Sequence, residues 1–259
     1  MISLLGSAGA TGTTSPVTAT RTTTTGSLLV ALLSRSSATD AFTGVTDTAG
    51  NTWQQAVFAP TSGTVGRRVE IWYCQNATSV TSVSAAFSAT QTAAITLHEF
   101  AGVATSGALV TSFAKVQSSS TTPTAAQVTP TDANDLVIGH IRANTGVAQT
   151  YTLTASGYTT ISVPIAEHHG IAYRIGGTPN VATGPTWTLG SASGSGSATA
   201  VFKAAPTTPT DTNVKYWNGT QWVEAKPAHP VKYWNGSTWV QPAAGKIKYW
   251  DGNTWTPVV

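Results

Sequence analysis

Charged side chains are scarce in this sequence. Lysine, arginine, aspartate and glutamate make up 9% of its 259 residues, and the formal net charge is +3. Nucleic-acid binding usually requires a stripe of basic residues, but the only adjacent basic pair here is Arg67-Arg68. We predict that these two arginines and Arg174 are solvated strand residues or members of ion pairs between subunits. No nucleic-acid partner is expected.

Cysteine and long apolar runs are also nearly absent. Cys74 is the only cysteine, so the chain cannot form an internal disulfide framework. No apolar run approaches the ~20 residues of a membrane-spanning helix, so membrane insertion is not expected. The opening MISLLGSAGATG has only a short apolar run and no charged flank. This pattern predicts synthesis in a cytoplasm without a cleaved signal peptide.

Titratable residues that could perform chemistry are few and scattered. The densest cluster is Glu167-His168-His169. Neighbouring residues on a strand point to opposite faces, so the two histidines cannot easily share a metal. We predict that this cluster is a surface-exposed strand end.

Two further segments are possible catalytic candidates, and both have a simpler structural explanation. His98-Glu99 lies on the apolar segment 92–102, and we predict that one of the two side chains is a hydrogen-bonded core residue. The segment GSASGSGSA (190–198) lacks the order of a nucleophile elbow and is predicted to be a flexible loop. We expect no catalytic residue, no metal and no cofactor, and the chain is not predicted to be an enzyme.

Threonine, serine, valine and glycine are abundant, and 41% of the residues are hydrophobic. β-Branched residues favour strands, which indicates an all-β fold. Turn signals recur every 8–14 residues, the spacing of a β-sandwich or jelly roll. The predicted strands of the first hundred residues are 17–24, 27–35, 51–60, 66–75, 79–87 and 92–102.

The strand pattern is repeated once. GSLLVALLSR (26–35) returns as NDLVIGHIRA (134–143), VGRRVEIWYC (65–74) as HHGIAYRIGG (168–177), and TLHEFAG (96–102) as TAVFKAA (199–205). We therefore predict a large jelly-roll-like β-sandwich over residues 16–205, built from two similar halves at about 16–107 and 108–205. A shared core is favoured over two separate cores. Residues 1–15 are predicted to be an arm that packs on a neighbouring subunit, and about 103–124 a connection between the halves.

Residues 206–213 (PTTPTDTN) form a predicted linker, and one phrase is written three times over 214–259. The copies are VKYWNGTQWV (214–223), VKYWNGSTWV (231–240) and IKYWDGNTW (247–255). Asn-Gly and Asp-Gly favour type I′ turns, so each copy is predicted to be a β-hairpin with a two-residue loop. In that register Trp217 lies opposite Thr220 and is a diagonal neighbour of Trp222.

The aromatic residues of these repeats are the candidate binding residues. They have two possible roles. They can form the core of the tail, which has no other, or they can be stacking platforms for sugar rings. The candidates for glycan or assembly contacts are Trp217, Trp222, Trp234, Trp239, Trp250, Trp255, Tyr216, Tyr233 and Tyr249.

The phrases GSLLVALL, TDTAGNTW, EIWYC, SVTSVSAAF and LHEFAGV together resemble structural proteins of tailed bacteriophages that infect actinobacteria. The WNG-x-x-WV repeats are similar to those that end many small minor tail proteins of such phages. The resemblance implies a virion protein, made in the host cytoplasm and located on the tail rather than the capsid. It implies attachment to the host surface, with other virion proteins, further copies of itself and host cell-wall glycan as partners.

Three functions remain open on this resemblance. The first is a minor tail protein, trimeric by analogy with other tail fibres and spikes. The second is a capsid decoration protein or head fibre, and the third is a tail-associated carbohydrate-active enzyme. The family implies no catalytic residues.

Overall fold

Every regular element of the computed structural model is a β-strand, which confirms the all-β prediction. The residues described are 1–61, 66–146, 149–163 and 169–206, and in the C-terminal region 215–217, 222–224, 233–234, 236–240, 248–250 and 255–257. The chain divides into two compact units, Met1–Pro206 (the body) and Thr207–Val259 (the tail unit). The described residues contain no helix of the length and apolarity that a membrane span requires.

The first eight strands of the body form one β-sandwich. They are β1 (Ser3–Gly12), β2 (Val17–Thr20), β3 (Ser27–Arg35), β4 (Phe42–Asp47), β5 (Gln54–Pro60), β6 (Arg68–Ala77), β7 (Ser82–Phe87) and β8 (Ala93–Ala101). The five-stranded sheet A has the order β1-β8-β3-β6-β5, and the three-stranded sheet B has the order β2-β7-β4. All pairs are antiparallel. Sheets A and B together are called the first sandwich.

The next seven strands form the second sandwich. They are β9 (Leu109–Ser120), β10 (Leu136–Ala143), β11 (Tyr151–Leu153), β12 (Thr159–Thr160), β13 (Gly170–Ile175), β14 (Trp187–Leu189) and β15 (Ser193–Phe202). Sheet C has the order β9-β15-β10-β13-β12, which matches sheet A strand for strand. Among the described residues, sheet D contains β11 and β14, and isolated bridges pair Thr124 with Thr186 and Val128 with Thr183 beside it.

The predicted repeat of strands is confirmed, but two of its edge strands were not predicted. β3 and β10, β6 and β13, and β8 and β15 hold equivalent places in their sheets, as the repeated phrases predicted. The predicted arm 1–15 instead contains β1, which pairs with β8 of its own chain. The predicted connection 103–124 contains β9, the equivalent of β1. Both are edge strands whose residues are half-buried or exposed, so they carry no long continuous apolar run.

Sheets A and C pack face to face and share one hydrophobic core, as favoured above. Leu28, Val30 and Leu32 of β3 meet Leu136 and Ile138 of β10 in this core. Separate clusters lie between sheets A and B and between sheets C and D. All nine residues of β3 are buried, because the strand has one core on each face.

The contact between sheets A and C is reciprocal. Phe100 on β8 and Phe202 on β15 hold equivalent places, and so do Tyr73 on β6 and Tyr173 on β13. Tyr73 packs on Phe202 with 5.3 Å between ring centroids, and Phe100 packs on Tyr173 at 5.7 Å. Each half therefore offers the same patch to the other, as subunits do in a two-fold symmetric dimer.

The described strands of the tail unit form three antiparallel pairs. They are β16 (Lys215–Trp217) with β17 (Trp222–Glu224), β18 (Tyr233–Trp234) with β19 (Trp239–Val240), and β20 (Lys248–Trp250) with β21 (Trp255–Pro257).

Candidate functional site

The three strand pairs of the tail unit share one register. Trp217 is the Cα partner of Trp222, Trp234 of Trp239, and Trp250 of Trp255. The three tyrosines are equivalent too: their Cα partners are Val223 for Tyr216, Val240 for Tyr233 and Thr256 for Tyr249. Each copy thus sets its two tryptophan positions directly opposite each other.

This register corrects the predicted two-residue loop, which had made Trp217 and Trp222 diagonal neighbours. Four residues separate the two tryptophans of the first copy, and four-residue hairpin loops are also common in proteins. The Asn218-Gly219 turn lies outside the described residues. In the second copy Gly236 has a φ of 100°, a conformation that favours glycine. The side chains of the nine candidate residues lie outside the described part, so their contact role stays a prediction.

Three histidines from distant parts of the body lie close to one another. They are His98 on β8, His140 on β10 and His169, which precedes β13. His140 Nε2 lies 3.1 Å from His169 Nδ1, and the two rings meet edge to face with 4.9 Å between centroids. His98 hydrogen-bonds to Ser7 Oγ at 2.8 Å and to Thr96 Oγ1 at 3.0 Å. His140 was not predicted from the sequence, because its only signal is its place in the apolar phrase of β10.

His98 and His140 are held in the neutral form. Burial lowers the pKa of His98 to about 3, and the nearby His169 acts in the same direction. Burial also lowers the pKa of His140 well below its usual value, and His169, Arg142 and His98 add to this effect. A general acid or base works best with a pKa near the operating pH. The environment of these two imidazoles therefore suits hydrogen bonding in a core and not proton transfer near pH 7.

His169 and its neighbours only partly match the prediction of an exposed strand end. His169 is half-buried and lies against His140, whereas Glu167 and His168 lie outside the described residues. Within the described ranges, no group of three or more His, Cys, Asp or Glu side chains is arranged to hold a metal ion.

His98 and Glu99 are both buried, on opposite faces of β8. The prediction of a hydrogen-bonded core residue is therefore confirmed, for both side chains and not only one. Glu99 pairs with Arg21 at 3.0 Å and accepts hydrogen bonds from Thr24 N at 2.6 Å and Ser27 Oγ at 3.0 Å. Burial acts to raise the pKa of Glu99, but these hydrogen bonds outweigh it and the pKa is lowered.

The arginines predicted to be solvated, or to pair between subunits, behave differently. Arg68 is buried and forms an ion pair with Glu70 within its own chain, and its guanidinium lies 3.8 Å from the Phe58 ring centroid. Arg67 donates from Nη2 to the Thr145 carbonyl. These side chains are ordered by contacts inside the body, which the spacing of charges along the sequence could not reveal.

The segment predicted to be a flexible loop forms most of a buried strand. Ser193–Phe202 is β15, an inner strand of sheet C between β9 and β10. Gly196 explains the run of small residues: a Cβ there would lie 2.2 Å from the Pro60 carbonyl oxygen. Glycine is required because the end of β5 crosses directly over β15 at this point.

Comparison with protein-family models, curated proteins and solved structures finds no match to this chain. Its residues and their geometry must therefore carry any functional conclusion. Two features stand out: a body whose described histidines and ion pairs are mostly enclosed, and a tail unit that repeats one paired-tryptophan motif three times.

Proposed function

We propose that this chain is a structural protein of a bacteriophage virion, a minor tail protein that attaches the particle to the host surface by non-covalent contact. The observation that carries the proposal is the strand pair of the tail unit, which keeps the same tryptophan register in three copies. The resemblance of the WNG-x-x-W repeats to those of minor tail proteins supports it.

Tryptophan suits a surface that contacts carbohydrate. An indole combines a large apolar face with one N–H donor, and a sugar ring offers an apolar face edged by hydroxyls. Three equivalent weak sites on one chain strengthen attachment through avidity, provided that they can engage the same polymer. We propose that the aromatic residues of the repeats contact a glycan of the host cell wall.

The proposed partners besides the glycan are other virion proteins and further copies of this chain, as a homotrimer. A trimer would present nine copies of the repeat and would raise avidity again. Light scattering of the purified chain measures this directly: a mass near three times 26.6 kDa supports the trimer, and a monomeric mass contradicts it.

The position on the particle is tested by electron microscopy of purified virions labelled with antibodies against the body. Label on the tail supports a minor tail protein. Label on the capsid contradicts the tail position and instead favours a decoration protein or head fibre.

Glycan contact is tested by retention of the full chain on host cell-wall polysaccharide. Trp217, Trp234 and Trp250 are changed together to alanine, and the control changes Phe113, an exposed aromatic residue of the body, to alanine. We expect the tryptophan variant to lose retention by at least about tenfold, since aromatic anchors dominate such contacts, while the control keeps it. Equal retention of both variants would leave the repeats an assembly role only. Release of sugar fragments would revive the enzyme alternative.

A further inference from the structure

A small cleft opens on the second sandwich, beside the loop that follows β13. Its volume is about 80 Å³, and Pro130, Arg174, Thr178, Val181 and Thr183 line it. One water needs roughly 10–15 Å³ of such volume, so the cleft has room for several waters or one small polar group. Its lining combines one cation and two hydroxyls with apolar walls.

The walls of the cleft are formed in advance. The loop that carries Thr178 is pinned by hydrogen bonds from Gly177 N to Ala133 O at 3.1 Å and from Asn180 N to Pro130 O at 2.8 Å. A ligand would therefore enter a site whose backbone is already ordered, which lowers the entropic cost of binding.

Arg174 is fixed within this frame by close contacts. A Cβ on Gly177 would lie 3.0 Å from Arg174 Nη2, and one on Gly157 would lie 3.5 Å from Arg174 Nε. The guanidinium thus lies between two glycines that have positive φ angles of 147° and 77°. Its Cζ is 6.0 Å from the ring centroid of Tyr158, whose hydroxyl is hydrogen-bonded to Thr183 Oγ1 at 2.9 Å.

Arg174 forms no ion pair within 4.0 Å with an acid among the described residues. The two ion pairs within 4.0 Å in that part of the chain belong to Arg21 with Glu99 and Arg68 with Glu70. The side chain of Arg174 is half-buried beside the cleft. A guanidinium in such a place favours an oxyanion, which it can bind through two parallel hydrogen bonds.

We propose that this cleft binds an oxyanion, a carboxylate or a phosphate, carried by an acidic polysaccharide of the host surface. Arg174 would hold the anion and the hydroxyls of Thr178 and Thr183 would contact the attached sugar. The choice of a polysaccharide as the source rests on the function proposed above, whereas the anion chemistry rests on the cleft alone.

The cleft is tested on the full chain by NMR titration with glucuronate and glycerol phosphate, with methyl glucoside as the neutral probe. We expect at least one acidic probe to bind and the neutral probe not to bind. Arg174→Gln should weaken the binding by at least about tenfold, because it removes a charged bidentate contact. The acid that binds identifies carboxylate or phosphate as the ligand group.

Two controls make this result specific. Arg67→Gln removes another half-buried arginine of the body and should leave the dissociation constant unchanged. An unaltered midpoint of thermal unfolding establishes that the Arg174 variant is folded. Binding of neither acidic probe, or equal binding by wild type and Arg174→Gln, would overturn the proposal.

Retention on host cell-wall polysaccharide separates this inference from the proposed function. Loss of retention in Arg174→Gln supports the polysaccharide as the source of the anion. If Arg174→Gln is retained like wild type while the tryptophan variant is not, the glycan function of the repeats stands and the polysaccharide source for this cleft is wrong.

Discussion

The two sandwiches of the body share the strand order of their inner sheets but differ in their outer covers. In the first sandwich, the three strands of sheet B and the outer face of sheet A form a cluster of seventeen buried apolar residues. In the second, sheet D has two short strands, and the clusters beneath it contain four and three buried residues among those that the structure describes. The same five-stranded arrangement can therefore be covered by a large outer sheet, as in the first sandwich, or by a small one, as in the second.

One equivalent pair of positions shows what the thinner cover permits. Cys74 on β6 is the Cα partner of Leu29, and Arg174 on β13 is the Cα partner of Val137. The two positions are equivalent because Leu28 and Leu136, the residues before these partners, hold matching places in β3 and β10. Cys74 is buried, and burial raises the pKa of its thiol to about 11. Arg174 is only half-buried, next to a cleft. A charged group can occupy this position because it still reaches solvent.

The largest expected effect tests whether the two halves are energetically equivalent. Phe100→Ala and Phe202→Ala each remove a buried ring that packs on a tyrosine of the other half. We expect each change to lower the free energy of unfolding by about 3–5 kcal/mol, measured by urea denaturation. The control Phe113→Ala removes a ring that is 54% exposed and should cost less than about 0.5 kcal/mol. A large inequality between the two core variants would break the equivalence.

Acid should act on the contact between the halves, because His98 and His140 come from different sandwiches. An unfolded histidine takes up its proton near pH 6.5, whereas folded His98 does so only near pH 3. Between these values the unfolded chain binds more protons, so the free energy of unfolding falls as the pH falls. His98 alone should cost roughly 2 kcal/mol at pH 5, and His140 adds to this loss.

The pH dependence of urea denaturation between pH 7 and pH 4 measures this effect. His98→Gln should flatten the dependence even if it lowers stability at pH 7, because it removes the titrating group. An equally steep dependence in His98→Gln would show that other groups cause the acid sensitivity.

The smallest expected effect compares the turns that follow β4 and β11. Asp47 accepts hydrogen bonds from Ala49 N, Asn51 N and Trp53 Nε1, so Asp47→Ala should lower the free energy of unfolding by about 1–2 kcal/mol. Thr154 is exposed and donates one hydrogen bond to the backbone. Thr154→Ala should cost less than about 0.5 kcal/mol. Equal costs in urea denaturation would contradict the idea that the first sandwich is the more firmly covered.

A strand buried on both faces could be predicted from the sequence to the residue, whereas the edge strands β1 and β9 could not be. The predicted strand 27–35 is β3 to the residue, since a strand buried on both faces carries an unbroken apolar run. β1 and β9 were missed because their residues are half-buried or exposed and form no such run. The Asx turn at Asp47 is formed by residues that are close in sequence, so a turn of this kind leaves a local pattern.

The candidate sites also divide into those that the sequence indicates and those that it does not. The tryptophan repeats were visible because identical phrases recur at short intervals, but their register depended on a loop length that Asn-Gly alone does not determine. No local pattern in the sequence indicates that His98, His140 and His169 lie close together. No local pattern indicates the cleft at Arg174 either, because its walls come from three separate segments.

The sequence by itself determined that this protein is built of strands, that its body is a duplication and that its tail unit repeats one aromatic motif, because alternation, turn residues and recurrence are properties of neighbouring residues. Only the tertiary structure decided which faces the two halves share, which histidines are enclosed between them and where an arginine is left beside a cleft. Those outcomes depend on contacts between residues far apart in the chain, and a linear pattern does not specify the partner of a buried face.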